Sequence, residues 1–85
     1  MSYYVYILQS EVNSSYYIGV SKDLLERLER HNRGGSTYTK RYKPWRLLYS
    51  EVYITKSDAY RRERQLKSYK GGDAFQDLLK NAGVV

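Results

Sequence analysis

The first 20 residues constrain the fold more than any other part of the chain. Tyr3–Gln9 and Tyr16–Val20 are short runs rich in aromatic and β-branched side chains, a composition typical of β-strands. The residues between them, Glu11–Ser15, are polar and favour a turn. The sequence therefore predicts that the chain opens with a β-hairpin, on which the later segments pack.

The tyrosines of this hairpin admit two interpretations. Aromatic residues on neighbouring strands most often pack against each other across the sheet. In the other interpretation, the hydroxyls of Tyr6 and Tyr17 converge on a phosphate, which requires that both side chains lie on one face. Strand side chains alternate between faces, and Tyr6 has an even number while Tyr17 has an odd one. The two can share a face only if the residue numbers of each paired position add up to an odd value, as in Leu8 opposite Tyr17. This requires either an even-length loop, such as Glu11–Ser14, or a bulge, and we predict the even loop. A regular, bulge-free ladder with Tyr6 opposite Val20 would exclude the shared face.

The remaining segments alternate between helix and strand patterns. Ser21 is the predicted N-cap of a first helix whose leucines share one face, and Ser57 is the predicted cap of a second. After the hairpin, the predicted elements are helix Lys22–Asn32 ended by Arg33-Gly34-Gly35, basic loop Ser36–Pro44, strand Trp45–Ile54, helix Asp58–Lys70 and helix Asp73–Asn81. The order β-β-α-β-α-α predicts a small mixed α/β (α+β) fold, in which helices flank a three-stranded antiparallel sheet.

Composition narrows the classes of function. We expect residues 1–85 to form one domain. Lys and Arg number 15 against 9 Asp and Glu, so the net charge is +6, which favours phosphate backbones or anionic lipid as partners. A chain without Cys has no disulfide, thiolate metal site or cysteine nucleophile, and a single His excludes a His-rich metal site. With no apolar run long enough for a membrane span and no signal-peptide pattern, we expect a cytoplasmic protein that has no membrane partner.

Three polar side chains stand out on the predicted helices. Arg27 and His31 are four residues apart and share a helical face. They form either a phosphate clamp beside an acid–base group, or a solvated arginine beside a snorkelling or capping histidine. Glu63 shares the face of Ala59 and Leu66, which points it toward the body of the domain. A carboxylate there needs either a structural ion pair with an arginine or a bound divalent cation.

Two basic segments flank these candidates. Thr39–Lys43 interleaves basic residues with tyrosine, and Arg61–Arg64 places three arginines around Glu63. Such runs are usually solvated faces, but basic residues interleaved with aromatics are also typical of a surface that contacts a phosphate backbone. Membrane-surface binding is disfavoured because the basic residues do not lie opposite a large apolar helical face.

Taken together, these residues resemble the GIY-YIG nuclease domains, and especially the small stand-alone members related to the N-terminal nuclease domain of the bacterial excision-repair endonuclease. The opening Tyr-Val-Tyr resembles the first family motif, with Tyr6 at its tyrosine and with Tyr4 and Val5 in place of Gly and Ile. Tyr17-Ile18-Gly19 is similar to the second motif almost unchanged.

The likeness continues along nearly the whole chain, over about residues 3–80. Leu24–Asn32 resembles the family's helix, with Arg27 at its arginine and His31 at the following histidine. The segment Arg61–Lys67 resembles the helix that bears a single metal-binding glutamate, here Glu63. Each motif alone is weak, but four in order at compatible spacing are specific.

The resemblance implies a metal-dependent endonuclease that hydrolyses DNA phosphodiester bonds, with a link to DNA repair or recombination. Glu63 would hold one divalent ion, Mg²⁺ or Mn²⁺, which would bind a phosphate oxygen and stabilise the leaving group. Tyr6 would be the general base, directly or through hydrogen bonding. A free tyrosine has a pKa near 10, so the ion and Arg27 would have to assist it. The remaining implied site residues are Tyr17 and His31, which contact the phosphate or position the base, and the backbone contacts Tyr38, Lys40, Arg41 and Arg61.

Two further interpretations stay open. A binding module of the same fold would bind DNA without robust cleavage of its own and would depend on a partner protein for target choice. Against it, Tyr6, Tyr17, Arg27 and Glu63 are all present. RNA binding or cleavage is the other alternative, because positive charge and tyrosine do not distinguish RNA from DNA without a contact to the 2′-hydroxyl.

Overall fold

The sheet is antiparallel and has its first strand in the centre. The structure is a computed structural model that describes residues 2–34 and 37–83. Its strands are β1 (Tyr3–Ser10), β2 (Tyr16–Ser21) and β3 (Trp45–Tyr53), in the spatial order β2-β1-β3. Because β1 has a strand on either side and helices over both faces, its residues 5–8 are the most deeply buried run of the sheet.

Helices flank this sheet as predicted. Those within the described ranges are α1 (Leu24–Asn32), α2 (Thr37–Arg41), α3 (Lys56–Ser68) and α4 (Asp73–Asn81). The predicted fold class is therefore confirmed, and the bounds of the predicted strands and long helices agree to within two residues. Over the same ranges, none of the helices combines the length and apolar character needed to cross a bilayer.

Both predicted helix caps are wrong. The side chain of Asp23 caps α1, since it accepts a hydrogen bond of 3.0 Å from the backbone amide three residues later. Ser21 instead ends β2, and its hydroxyl donates to the Asp23 carbonyl. In α3 the cap is Thr55, whose hydroxyl oxygen accepts a hydrogen bond of 3.2 Å from the backbone amide of Asp58. Ser57 already lies inside the helix. Each segment offers two capping side chains, and the local sequence alone does not distinguish between them.

The predicted basic loop is also wrong in part, because its centre is the short helix α2. Thr39 is fully buried there, and the indole Nε1 of Trp45 donates a hydrogen bond of 2.9 Å to its carbonyl. This contact with the next strand holds a turn of helix that the local sequence does not favour. Gly35 and Ser36, where the predicted helix end meets the predicted loop, lie outside the described residues.

The register of the hairpin is confirmed. Leu8 pairs with Tyr17, and Tyr6 pairs with Gly19. A backbone hydrogen bond of 2.9 Å between the flanking serines closes the four-residue loop Glu11–Ser14. Tyr6 and Tyr17 therefore project from the same face of the sheet, as their convergence on one site requires.

The two faces of the sheet pack against different helices. One face packs on α3 and α4 through the buried residues Val5, Ile7, Ala59, Leu66, Phe75 and Leu79. The opposite face carries Tyr6, Leu8 and Trp45, with Leu24 and Leu28 of α1 packed against them, whereas Leu25 is exposed and does not share that face. The side chain of Asn32 fixes the end of α1 to β3, since it accepts from the Trp45 amide and donates to its carbonyl. The second face thus brings the first motif under α1.

Candidate active site

A buried hydrogen bond between β1 and α1 forms the centre of the site. The hydroxyl of Tyr6 and Nε2 of His31 lie 3.1 Å apart, with the two residues only 2% and 5% exposed. His31 therefore neither snorkels nor caps; it lies in the core at the last turn of α1. The hydrogen bond joins the tyrosine of the first motif to the histidine that follows Arg27.

Gly19 makes room for this contact. A Cβ atom at position 19 would lie 2.5 Å from the Tyr6 hydroxyl oxygen and 2.7 Å from its Cζ. Both distances are far shorter than a van der Waals contact, and the Tyr6 ring has no free space to move into because it is buried. The glycine of the second motif thus fixes the position of the tyrosine of the first.

Tyr17 forms the open side of an aromatic cluster. Its ring centroid lies 6.4 Å from that of Tyr6, with the planes nearly parallel at 23°, and 4.5 Å from that of His31. Trp45 lies 6.1 Å away on the other side, and Tyr38 of α2 packs against Trp45 at 5.9 Å. Tyr17 is half-buried, so it is the member of the Tyr6–Tyr17 pair that solvent and substrate can reach.

The pKa values of the buried pair move in opposite directions. Burial, and next the proximity of Tyr17, raises the pKa of Tyr6 well above its usual value near 10, although Arg27 lowers it. Burial lowers the pKa of His31, and the positive charges of Arg27 and Arg30 lower it further. Both groups are therefore uncharged at neutral pH. The assistance that we expected from Arg27 is present, but burial outweighs it.

Arg27 carries an unpaired buried donor. Within residues 2–34 and 37–83, its Nε has no hydrogen-bond partner although the atom is buried. Such orphan donors are rare in proteins, and a bound anion is one way to satisfy them. Arg27 also lines a cleft of about 310 Å³ at the far end of β2. Because the same arginine lowers the pKa of both Tyr6 and His31, its positive charge lies close to their hydrogen bond.

Glu63 faces the same region from α3. Its side chain is only 18% exposed, and its negative charge contributes to the raised pKa of Tyr6. The predicted structural partner was an arginine, but the ion pair that Glu63 forms is with Lys67, at 3.5 Å. That lysine is more than half exposed, and an exposed pair of this length stabilises the protein little. The carboxylate therefore remains available to a ligand.

The donor set fits a single, sparsely coordinated divalent ion. Among the described residues, no group of three or more His, Cys, Asp or Glu side chains could hold a metal. Mg²⁺ does not require such a group, because it keeps several waters and binds through one or two carboxylates together with substrate phosphate. Glu63 supplies one mostly buried carboxylate, and Arg27 supplies a guanidinium whose Nε has no partner among the described residues. Both lie close enough to Tyr6 to shift its pKa, which matches that arrangement.

Of the predicted backbone contacts, those on α2 lie beside the site and the one on α3 does not. Tyr38, Lys40 and Arg41 belong to α2 and are exposed, and the ring of Tyr38 adjoins the aromatic cluster through Trp45. Arg61 is 77% exposed and pairs with Asp58 at 3.5 Å. It precedes Glu63 by two residues, which is about 200° around a helix, so it points away from the site.

The neighbouring Arg62 has a structural role. Its guanidinium donates to both carboxylate oxygens of Glu51 on β3, at 2.9 and 3.0 Å. The hydroxyls of Tyr49 and Tyr53 donate to the same carboxylate. Burial alone would raise the pKa of Glu51, but these hydrogen bonds hold it below its usual range. This network fastens α3 to β3, the edge strand on the other side of β1 from β2.

Sequence reasoning missed one candidate feature, a stripe along α3 and just past its end that faces β2. Lys56, Tyr60, Glu63 and Lys67 follow one another at helical spacings of four, three and four, and Lys70 continues the stripe beyond the last residue of the helix. Lys56 and Tyr60 line the cleft that contains Arg27, while Lys67 and Lys70 line a second cleft that contains Tyr17. The spacing was readable in the sequence, but only the structure shows that this face of α3 borders β2.

The fold and site together define a member of a known family of nuclease domains. A family model described as the GIY-YIG catalytic domain matches residues 2–72, and the chain belongs to this family. UPF0213 proteins of the Staphylococcus aureus strains Mu3 and N315 are each 46% identical to it over 69 residues, which cover 80% of this chain and 83% of the relative. The UPF0213 protein BH0048 from Bacillus halodurans, solved by solution NMR, is 33% identical; the match covers 88% of this chain and 92% of that chain, with a TM-score of 0.45.

Proposed function

We propose that this protein is a divalent-metal-dependent endonuclease that hydrolyses DNA phosphodiester bonds. Membership of the family supports an endonuclease-like function. The observation that carries the proposal is the convergence of five polar side chains from β1, β2, α1 and α3 on one region: Tyr6, Tyr17, Arg27, His31 and Glu63. Two of them have features that a purely structural role does not explain, namely an unpaired buried guanidinium nitrogen and a mostly buried carboxylate.

Arg27 and Glu63 are assigned to the phosphate that is cut. Arg27 would bind it through its guanidinium, which satisfies the orphan Nε. Glu63 would hold one Mg²⁺ or Mn²⁺ ion together with water and a phosphate oxygen. When bound, the ion stabilises the charge that develops on the phosphate and on the leaving oxygen.

We assign different roles to Tyr6 and Tyr17 because they differ in burial. Tyr6 does not suit the role of a direct general base, because its hydroxyl is buried and its raised pKa keeps it protonated. We retain the indirect form, in which Tyr6 donates to neutral His31 and the pair fixes the position of the Tyr17 ring. Tyr17 then makes the contact with the phosphate or the attacking water. Its half-buried position is what supports this assignment.

The surrounding surface would bind the flanking DNA without reading its sequence. Tyr38, Lys40 and Arg41 on α2 are the proposed contacts to the backbone, and Arg61 is left out because it points away. We further propose that residues 1–85 act as one catalytic domain in the cytoplasm, in DNA repair or recombination, with a partner protein that supplies target choice. The likeness to an excision-repair nuclease domain supports this wider role.

Nuclease assays on a panel of labelled DNA structures test the proposal. Duplex, nicked, branched and single-stranded DNA would each be incubated with Mg²⁺, Mn²⁺ or EDTA. Wild type is expected to cleave at least one of them, and EDTA should abolish cleavage. Glu63→Gln should lower the rate by about 100-fold or more, and Tyr6→Phe should lower it as well. Glu11→Gln, an exposed glutamate in the hairpin loop, is the matched control and should cleave like wild type.

Folding of each variant would be checked by thermal unfolding before its rate is compared. Cleavage by Glu63→Gln at the wild-type rate, or cleavage that survives EDTA, would contradict the proposal. If wild type binds DNA but cleaves nothing in the panel, the protein is a binding module of the same fold. If the protein cleaves RNA of matched structure in preference to DNA, then RNA and not DNA is its substrate.

A further inference from the structure

A second cleft opens beside the proposed site, between β2 and the junction of α3 with α4. Its volume is about 480 Å³, within the range of small-ligand sites in proteins. Tyr16, Tyr17 and Ile18 of β2 form one wall, while Leu66 and Phe75 contribute apolar surface from the helices. The cleft is large enough for a single nucleotide.

The cleft adjoins the site in which cleavage is proposed, because two of its lining residues contact residues of that site. Tyr17 lines it and also packs against His31, at 4.5 Å between ring centroids. Lys67 lines it and also forms the ion pair with Glu63. A strand whose phosphate lies at Glu63 would therefore place an adjacent nucleotide at the mouth of this cleft.

The lining suits a nucleobase next to a phosphate. Its charged side chains are Lys67 and Lys70, both exposed. Its aromatic surface comes from Tyr16, which packs edge-on against Phe75 at 4.8 Å and is only half-buried. Aromatic rings that accept base stacking, combined with lysines along the backbone, are the usual way in which proteins hold single-stranded nucleic acid.

The backbone at Lys70 adds an independent observation. Lys70 has φ of +51°, in the left-handed region that favours glycine, and the next residue, Gly71, has φ of +73°. A helix end of this kind is most stable with glycine at the first left-handed position. A turn with a purely structural purpose does not need lysine there, whereas a turn that presents an ammonium group to the cleft does.

We infer that this cleft holds one unpaired nucleotide of the DNA strand, next to the phosphate that is cut. The inference rests on the proposed function for its substrate. Because a base within the cleft has left the stack of its duplex, nucleotides that are already unpaired bind at the lowest energetic cost. The protein would therefore favour single-stranded segments, frayed ends and branch points over continuous duplex.

Binding measured in EDTA tests this nucleotide site separately from cleavage. Fluorescence anisotropy would compare a labelled thymidine strand of about 15 nucleotides with a strand of equal length and charge that lacks bases. Wild type should bind the strand with bases about 5- to 150-fold more tightly, the range expected for stacking of one base. Tyr16→Leu should remove most of that difference while it leaves the salt dependence unchanged.

Lys70→Gly supplies a variant that should fold at least as well as wild type. Its melting temperature should rise by about 2–6 °C, because glycine removes the left-handed strain. Loss of one phosphate contact should weaken binding of the single strand by about 8-fold at 50 mM salt and about 3-fold at 200 mM. Lys80→Met, an exposed lysine of α4 that does not line the cleft, removes the same charge and should change binding by less than about 2-fold.

Two results would overturn the inference. One is that wild type binds the strands with and without bases with equal affinity. The other is that Lys70→Gly binds the single strand no more weakly than Lys80→Met does. If the Glu63→Gln variant loses cleavage but Lys70→Gly binds like wild type, the nuclease stands and the nucleotide site is wrong. If no substrate is cleaved but the binding results hold, the nucleotide site stands on a binding module.

Discussion

Replacement of Gly19 by alanine tests whether the two family motifs are coupled through a single close contact. The added Cβ would lie 2.5 Å from the Tyr6 hydroxyl oxygen, 2.7 Å from Cζ and 3.2 Å from Cε2. The ring must move by about 1 Å to restore ordinary contacts of about 3.5–4 Å. Since Tyr6 is buried against Tyr17 and His31, that movement breaks the 3.1 Å hydrogen bond with His31.

The expected destabilisation can be worked from these terms. Overpacking of a filled core costs about 1–3 kcal/mol, and a lost buried hydrogen bond costs about 1 kcal/mol. Alanine in place of glycine in a strand regains about 0.5–1 kcal/mol. The net loss is about 2 kcal/mol, which lowers the melting temperature of a domain of this size by about 8–16 °C.

Thermal unfolding followed by circular dichroism measures this loss, and NMR of the His31 ring reports on the hydrogen bond. Gly83→Ala is the control, because Gly83 has φ of +78° and a Cβ there would meet no atom within 4 Å. It should lose about 1 kcal/mol from backbone strain and leave the His31 signals unmoved. A Gly19→Ala variant that melts within about 2 °C of wild type, with unmoved His31 signals, would refute the coupling.

Three further predictions concern charged or titratable groups that folding buries: Arg62, Glu51 and His31. Arg62→Met leaves the mostly buried Glu51 without its guanidinium partner and should cost about 2–3 kcal/mol in urea unfolding; a loss below about 0.5 kcal/mol would contradict the structural role of this pair. Folding lowers the pKa of Glu51, so its contribution to the free energy of unfolding is complete above the unfolded pKa near 4.3. That contribution is lost as the pH falls through the folded pKa. The difference in unfolding free energy between wild type and Glu51→Gln should therefore narrow below about pH 4. Folding also lowers the pKa of His31, so the unfolded state binds the extra proton below about pH 6.5 and stability falls by up to about 1.4 kcal/mol per pH unit. His31→Gln should flatten that slope, and an unchanged slope would assign it to other groups.

The sheet could be predicted because local pattern and topology agree there. The runs that form β1 and β2 are aromatic and β-branched. Once Tyr6 and Tyr17 are required to share a face, parity demands an even loop or a bulge, and the structure has the even loop. The direction of Glu63 was predictable for a similar reason. A helical position four after Ala59 must point toward the core that Ala59 enters, and the carboxylate is indeed mostly buried.

Other features depend on partners that are distant in the chain. α2 forms because Trp45 bonds to the carbonyl of Thr39, a contact that no local propensity encodes. The distinction among the arginines of α3 depends equally on which strand lies beside each one. Arg62 pairs with Glu51 on β3, while Arg61 is 77% exposed and pairs with Asp58 of its own helix. Charge runs therefore predict a basic surface but not which of their members face a site.

The burial of Tyr6 shows why the roles within the site could not be read from the motifs. The sequence places two tyrosines on one face of a hairpin, and either could serve as the reactive hydroxyl. Their positions in the sheet separate them, because β1 is central and β2 is an edge strand. A side chain of the central strand lies under α1, as Tyr6 does, whereas one on the edge strand stays within reach of solvent, as Tyr17 does.

The placement of the site at an edge strand also accounts for the charge around it. An exposed strand edge invites pairing with another polypeptide unless something discourages it. Here β2 is flanked by Lys56, Lys67 and Lys70 of the α3 stripe, so a second copy of this basic chain would be repelled. A polyanionic strand would be attracted by the same charges. The lysines that repel a second copy of this chain would therefore attract a nucleic-acid backbone to the same edge.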